Sequence, residues 1–135
     1  SLGGTGYSSN NSGATYITYC FHSVDGYSRV GKFTGNGSTD GSFVYTGFRP
    51  AWLMIKSYDQ TRNWTLFDNK RTSFNEMDGH LHANASVAEQ TGSDEIDFLS
   101  NGFKFRSGDA DSNYSNFNYI YLCFAEQPFK YANAR

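Results

Sequence analysis

Apolar and polar residues alternate along most of this chain with a period of two, which is the spacing of a β-strand that buries one face. Trp64 and Leu66 are predicted to share one face of a strand, and residues 103–106 alternate in the same way. Residues 117–124 would be apolar on both faces of a strand, as expected for a central strand that is covered on each side. Helical spacing is not sustained anywhere for three turns, and at most a short helix is predicted near residues 85–89.

Short segments with turn-forming residues separate these runs. They are rich in Asp, Asn and Gly, and they lie at residues 25–26, 35–37, 39–41, 78–79 and 107–109. Asp68 and Arg71 stand on either side of another turn, and we expect them to form a structural ion pair, with contact to a ligand as the alternative. Eight or nine short strands joined by such turns predict an all-β fold, namely an antiparallel β-sandwich of the jelly-roll or concanavalin-like kind.

The composition agrees with one globular domain and excludes several classes of protein. A length of 135 residues suits a single domain, and an aromatic content of 18% argues against disorder. The net charge of −2, with scattered Lys and Arg, lacks the basic patch of a nucleic-acid-binding protein. Apolar runs are too short to cross a bilayer. We therefore expect no nucleic-acid partner and no membrane insertion.

The two cysteines, Cys20 and Cys123, lie in similar apolar runs, and neither has a second cysteine at metal-ligand spacing. We expect both to be buried free thiols that behave as small apolar residues, with a disulfide between them as the alternative. Free thiols favour a protein that is assembled in a reducing cytoplasm.

The beginning of the chain partly repeats its end. Residues 8–22 match residues 111–125 at seven of 15 positions. We interpret residues 1–22 as the tail end of an upstream repeat or a linker strand, and residues 23–135 as a single β-sandwich domain; chance similarity between two strands is the alternative. Tandem repeats of this size indicate an elongated, modular structural protein.

Four segments carry a resemblance to a known group of proteins. They are residues 27–38, 41–52, 97–104 and 124–131, of which Gly-Phe-Arg-Pro-Ala-Trp and Phe-Leu-Ser-Asn-Gly-Phe-Lys are the more specific motifs. The chain resembles, over roughly residues 16–135, a repeat domain of tail-fibre-like and other virion structural proteins of environmental, especially marine, bacteriophages. Proteins of that kind often end in a Pro-Phe-Lys-Tyr segment like residues 128–131.

The resemblance implies a virion β-sandwich and supplies no catalytic residues. It implies a non-enzymatic structural domain, most often of a tail fibre or surface appendage that contacts the host envelope. Its expected partners are other virion proteins, further copies of itself, commonly as trimers in fibres, and a host surface glycan. A lectin-like carbohydrate-binding module and a capsid-decoration protein are the alternatives, and the sequence does not separate tail from capsid.

One strand resembles an enzyme active site. Glu95-Ile96-Asp97 is similar to the catalytic strand of laminarinase-type glucanases, which are also β-sandwiches. Retaining hydrolysis needs a second carboxyl group as the proton donor, and Leu99 or Ser100 stands in its place here. We therefore expect no catalytic residue and no enzymatic activity.

Two groups of residues have the side chains of metal ligands. Asp109, Asp111 and Asn113 present oxygens at alternate positions, as a calcium loop does, but the Gly and bidentate Glu of an EF-hand are missing. His80 and His82 would share one strand face without a third ligand at a telling spacing. We expect a solvated loop and surface histidines, and hence no metal and no cofactor; cation binding by the loop stays open.

Tyr58, Arg62 and Trp64 flank a polar turn and are the candidate ligand-binding residues. Aromatic rings beside amides and hydroxyls suit a sugar, because the rings contact its C–H faces and the polar groups bind its hydroxyls. The alternative is that these side chains belong to the core or to a subunit interface.

Overall fold

The computed structural model describes residues 12–93 and 95–128. These residues form eight strands, which are β1 (Ser28–Thr34), β2 (Phe43–Tyr45), β3 (Pro50–Ser57), β4 (Trp64–Asp68), β5 (His80–His82), β6 (Ile96–Leu99), β7 (Gly102–Phe105) and β8 (Asn118–Ala125). The all-β prediction is confirmed. The short helix considered near residues 85–89 is absent, and that segment is irregular. A helix able to cross a membrane does not occur in the described ranges.

The strands form two antiparallel sheets that face each other. The larger sheet has the order β1-β8-β3-β4-β5, and the smaller one has the order β2-β7-β6. Alternate residues of both sheets point into one shared core, with Leu53 and Ile55 from the larger sheet meeting Phe98 and Phe103 from the smaller. The chain is therefore a β-sandwich, as the alternation of apolar residues predicts.

The strand β8 lies between β1 and β3 and pairs with both along its length. Its inward side chains, Tyr119, Tyr121 and Cys123, are buried in the core. Leu122 on its outward face is also largely buried, whereas Ile120 is partly exposed. The prediction of a central strand with two apolar faces is confirmed, because this strand has a neighbour on each edge.

Aromatic rings fill the space between the sheets at one end of the core. The ring of Phe33 stacks on Tyr119 with 5.1 Å between centroids and on Phe105 with 5.2 Å. Phe103 meets Tyr121 edge to face at 5.4 Å. Such pairs add about 0.5–1.5 kcal/mol each beyond the area they bury. These rings connect both sheets and fix their spacing.

One glycine is required where β1 crosses this aromatic cluster. Gly31 lies opposite Tyr121 in the ladder, and a Cβ atom there would lie 2.8 Å from the tyrosine ring. The ring of Tyr121 therefore covers the backbone of β1. A side chain at this position would have to displace the ring from the core.

The turn after β4 is held by an ion pair that the sequence predicts. The ion pair between Asp68 and Arg71 is confirmed, with 2.8 Å between Oδ2 and Nε. Arg71 also reaches Glu89 at 2.5 Å from Nη1 to Oε2. It therefore ties the turn after β4 to the chain beyond β5.

The expectation that both cysteines are buried is wrong for Cys20. Cys123 is fully buried in β8, where burial raises the pKa of its thiol from 9.0 to about 12. Cys20 is exposed, and residues 15–23 form no strand. The thiols are both free, so the disulfide is also excluded. Residues 1–11 of the proposed upstream tail lie outside the described residues.

We predict that one thiol per chain reacts with a water-soluble disulfide reagent at pH 8 in the folded protein, and that both react in denaturant. Cys20 is accessible, whereas the buried Cys123 is almost entirely protonated at this pH. A Cys20→Ser variant should show no rapid reaction when folded. Two fast thiols in the native protein would mean that β8 is not buried as described.

We predict that Tyr119→Phe lowers the free energy of unfolding by about 1–2 kcal/mol, because a buried hydroxyl with two partners is lost. That hydroxyl donates to the carbonyl of Ala110 and accepts the N–H of Tyr114, both at 3.0 Å. Urea denaturation measures the change. Tyr45→Phe, on an exposed ring, is the control and should leave the midpoint unchanged; equal effects of the two substitutions would contradict the prediction.

Candidate functional site

The outer face of the larger sheet carries a continuous apolar row. Each of its strands contributes one side chain in register: Val30, Leu122, Met54, Leu66 and Leu81. The smaller sheet packs on the opposite face, so this row is not part of the shared core. Four of the five side chains are only partly buried.

A groove of about 350 Å³ opens beside this row. Its apolar walls include Phe21, Met54, Trp64, Ile120 and Leu122. Trp64 and Ile120 are 36% and 40% exposed, so large apolar surfaces face solvent here. In the sheet register, Ile120 lies between Lys32 and Lys56, which gives the groove a basic rim.

Aromatic rings continue the apolar surface toward the other end of the sheet. Phe124 is the centre of this group, with ring centroids at 5.7 Å from Trp52, 5.8 Å from Tyr27 and 6.3 Å from Phe21. Phe21 thus contacts Phe124 and also lines the groove. The outer face therefore combines an aliphatic row with an aromatic cluster.

The three predicted ligand-binding residues have separate surroundings. Trp64 lines the groove, and Tyr58 and Arg62 do not. The guanidinium of Arg62 lies 5.5 Å from the centre of the Phe117 ring, in a cation–π contact. Tyr58 is exposed, and its backbone N–H donates to the carbonyl of Asn118. Trp64 therefore belongs to the groove, whereas Arg62 belongs to the surface around the Phe117 ring.

Polar side chains near these loops are already bound to one another. The amide of Asn118 donates to Asp59 at 2.7 Å, and this hydrogen bond lowers the pKa of the Asp59 carboxyl below its ordinary value. Asp111 accepts hydrogen bonds from the backbone and the side chain of Asn63, at 3.1 and 2.9 Å. Carboxylates that a sugar would need as acceptors are therefore engaged with protein donors.

The loop expected to be solvated is partly buried. The Asn113 side chain is fully buried and donates to three oxygen atoms, on Asn36, Ser38 and Ser107. Asp109 accepts the backbone N–H of Asp111 at 2.7 Å. The expectation is wrong for Asn113. Its amide joins loops that are distant in sequence, and these loops enclose the side chain and exclude solvent from it. The described part of the chain holds no group of three or more His, Cys, Asp or Glu side chains placed for a metal.

His80 and His82 are buried, so the expectation that they are surface histidines is wrong. His80 and His82 point inward from β5, with ring centroids 5.3 Å apart, and His80 packs on Phe67. The Nε2 atom of His82 lies 3.1 Å from the Gln90 side-chain oxygen and 4.0 Å from Asp111 Oδ2. The backbone of Gln90 pairs with His80, and this bridge contributes to covering the strand.

One of the two acidic side chains in the glucanase-like motif, that of Asp97, is in an ion pair. Asp97 is buried, and its Oδ2 atom lies 2.5 Å from Nη2 and 2.6 Å from Nε of Arg106. This hydrogen bond raises the pKa of the Arg106 guanidinium. Lys104, which lies opposite Asp97 in the sheet, contacts Asp40 instead. The second acidic residue of the Glu95-Ile96-Asp97 motif is thus held by a structural partner.

Sequence reasoning identified Trp64 but missed most of the groove. A signal was present, because Trp64 and Leu66 share a face and residues 117–124 are apolar at both alternations. Finding the row required the strand order, since Val30 and Leu81 lie on opposite edges of the sheet.

The chain matches a known protein family. The pattern of a domain of unknown function, DUF7483, matches residues 1–128 of the chain. The comparisons match no curated protein and no solved structure.

We predict that this chain releases no reducing sugar from β-glucans or other polysaccharides. Leu99 and Ser100 cannot donate a proton to a leaving group, and general acid catalysis typically supplies about 10²–10⁴-fold in rate. The assay compares the chain with Glu95→Gln on a panel of polysaccharides. Turnover that disappears in the variant would identify Glu95 as catalytic and overturn the prediction.

Proposed function

This chain belongs to the DUF7483 family, a domain of unknown function, and we propose that it is a non-enzymatic structural domain of a bacteriophage virion. Within the virion, the proposal places it in a tail fibre or another surface appendage that contacts the host envelope. The resemblance of residues 41–52 and 97–104 to virion repeat domains supports the assignment to a bacteriophage virion. In the fold these segments supply β2, β6, β7 and the start of β3, so they are part of the framework.

The observation that carries the proposal is the apolar outer face with its groove. Contiguous exposed apolar surface rimmed by polar residues is typical of protein interaction sites. Here the groove presents Trp64 and Ile120 beside a row that spans the sheet, with Lys32 and Lys56 at its rim. A domain whose task is assembly needs such a face.

We assign this face to contact with another copy of the same domain. The chain carries a partial second copy of its own last strand, so neighbours of the same kind are expected beside it. Self-association is also common in fibre proteins. The Asp97–Arg106 ion pair joins β6 to the residue that follows β7, which supports a structural role for the smaller sheet.

A lectin-like module remains the second candidate function, and exposed rings favour it. Tyr58 and Tyr114 are both about half exposed, next to the amide and carboxylate network of the loops. A sugar could stack on such rings, with Arg62 beside them. A capsid-decoration protein would use the same apolar outer face as a fibre domain.

The test is the self-association of the chain, measured by sedimentation equilibrium. We expect oligomers that Ile120→Glu dissociates, with a dissociation constant raised at least about tenfold, since an ionised group would enter an apolar contact. The new carboxylate would lie between Lys32 and Lys56, so the sheet itself should tolerate it.

Phe74→Glu is the matched control, because Phe74 is an exposed ring that does not line the groove. It should leave the oligomer intact. A wild-type chain that stays monomeric at high concentration would contradict the assembly proposal. Binding to a glycan array that Tyr58→Ala abolishes, without a change in oligomeric state, would support the lectin-like candidate instead.

A further inference from the structure

Residues 16–21 have the sequence of a central strand but form no strand here. Aligned with residues 119–124 they are identical at four of six positions, as Tyr, Ile, Cys and Phe. In β8, Tyr119 and Cys123 are completely buried and point into the core. With a period of two, Tyr16, Thr18 and Cys20 would form the corresponding inward face.

The same residue types are exposed in the first segment. On the inward face, Tyr16 is 43% exposed and Cys20 is exposed, whereas Tyr119 and Cys123 are completely buried. On the outward face, Ile17 is 81% exposed against 40% for Ile120. A large apolar side chain that stays in water, when it could be fully buried as Tyr119 is, costs roughly 1.5–3 kcal/mol. The segment therefore has the composition of a buried strand without the sheet that would bury it.

The chain after this segment is fixed to the edge of the described sandwich. The hydroxyl of Ser28 donates to the carbonyl of His22 at 3.0 Å, and the N–H of Val30 donates to Ser23 Oγ at 3.1 Å. Residues 22–27 alone separate the segment from β1. The segment thus leaves the domain from a defined position, with Phe21 against Phe124.

We propose that residues 16–21 are the last strand of a preceding sandwich of the same fold, inserted between that domain's first and third strands as β8 is here. The partner is a β-sandwich that lacks its own eighth strand and would otherwise expose an open slot in its larger sheet. Each module then completes the sheet of the one before it, and the short connection to β1 holds the two modules directly together. This goes beyond the virion proposal, because it holds for any assembly in which such modules follow one another.

The test is a fusion in which residues 1–110 precede residues 8–135. The first half lacks β8, and residues 8–22 follow it in the register of residues 111–125. We expect two folded sandwiches. The backbone amides of the second copy of residues 16–21, at the junction, should be protected from hydrogen exchange, whereas those of the first copy and of the single chain should not be. Exchange is read by mass spectrometry or NMR.

Two variants of the fusion use the period-two pattern. Both substitutions are made in the second copy of residues 16–21. Cys20→Asp places a charge on the inward face and should unfold the first half only. Ile17→Lys changes the outward face, which is partly exposed at Ile120, and should be tolerated. Equal effects of these two substitutions would show that the segment is not held as a strand in a sheet.

A further variant controls for the fusion itself. In the second copy of residues 16–21, the double substitution Thr18→Tyr and Tyr19→Leu makes these six residues identical to residues 119–124. If this variant folds in both halves and the parent fusion does not, the natural segment is not an eighth strand. If neither folds in its first half, residues 22–27 cannot join two completed sandwiches; either outcome overturns the proposal. In the single chain, deletion of residues 1–15 should leave the thermal midpoint unchanged.

Discussion

The position of β8 between β1 and β3 is the constraint on which the rest of this structure depends. The final strand pairs with the first strand from Ser28 to Thr34 and with the third from Pro50 to Ser57. Both edges of β8 are therefore saturated with backbone hydrogen bonds, and Tyr119, Tyr121 and Cys123 point into the core. Without it, β1 would be detached from the larger sheet, and Phe33 would lose the Tyr119 ring on which it stacks.

The two faces of the larger sheet have different roles. Its inner face joins the smaller sheet through closely packed rings, and this contact stabilises the domain. Its outer face contributes an apolar side chain from every strand and has a groove beside Trp64. A sheet with one free apolar face can bury that face against another protein without rearranging its own core, which is why a role in assembly suits this fold.

The polar motifs that suggest chemistry in the sequence are used by the fold. Asp97 is buried and held by Arg106, Asp111 is held by Asn63, and Asn113 joins the β1–β2 loop to the β7–β8 loop through its amide. A buried carboxylate or amide costs free energy unless it is hydrogen-bonded, so each of these groups needs a partner within the protein. Asn63 and Asn36 come from loops far away in sequence, and Arg106 reaches Asp97 across the β6–β7 hairpin, so a short linear motif does not include these partners.

The sequence by itself determined the strands, the central place of residues 117–124 and the ion pair of Asp68 with Arg71, because these follow from alternation and from neighbours a few residues apart. The tertiary structure alone decided that His80 is buried, that Cys20 is exposed and that Val30 and Leu81 end one apolar row. Alternation shows which side chains share a face of a strand. Which face is covered, and which strands are neighbours, depends on pairing between distant segments that only the complete fold brings together.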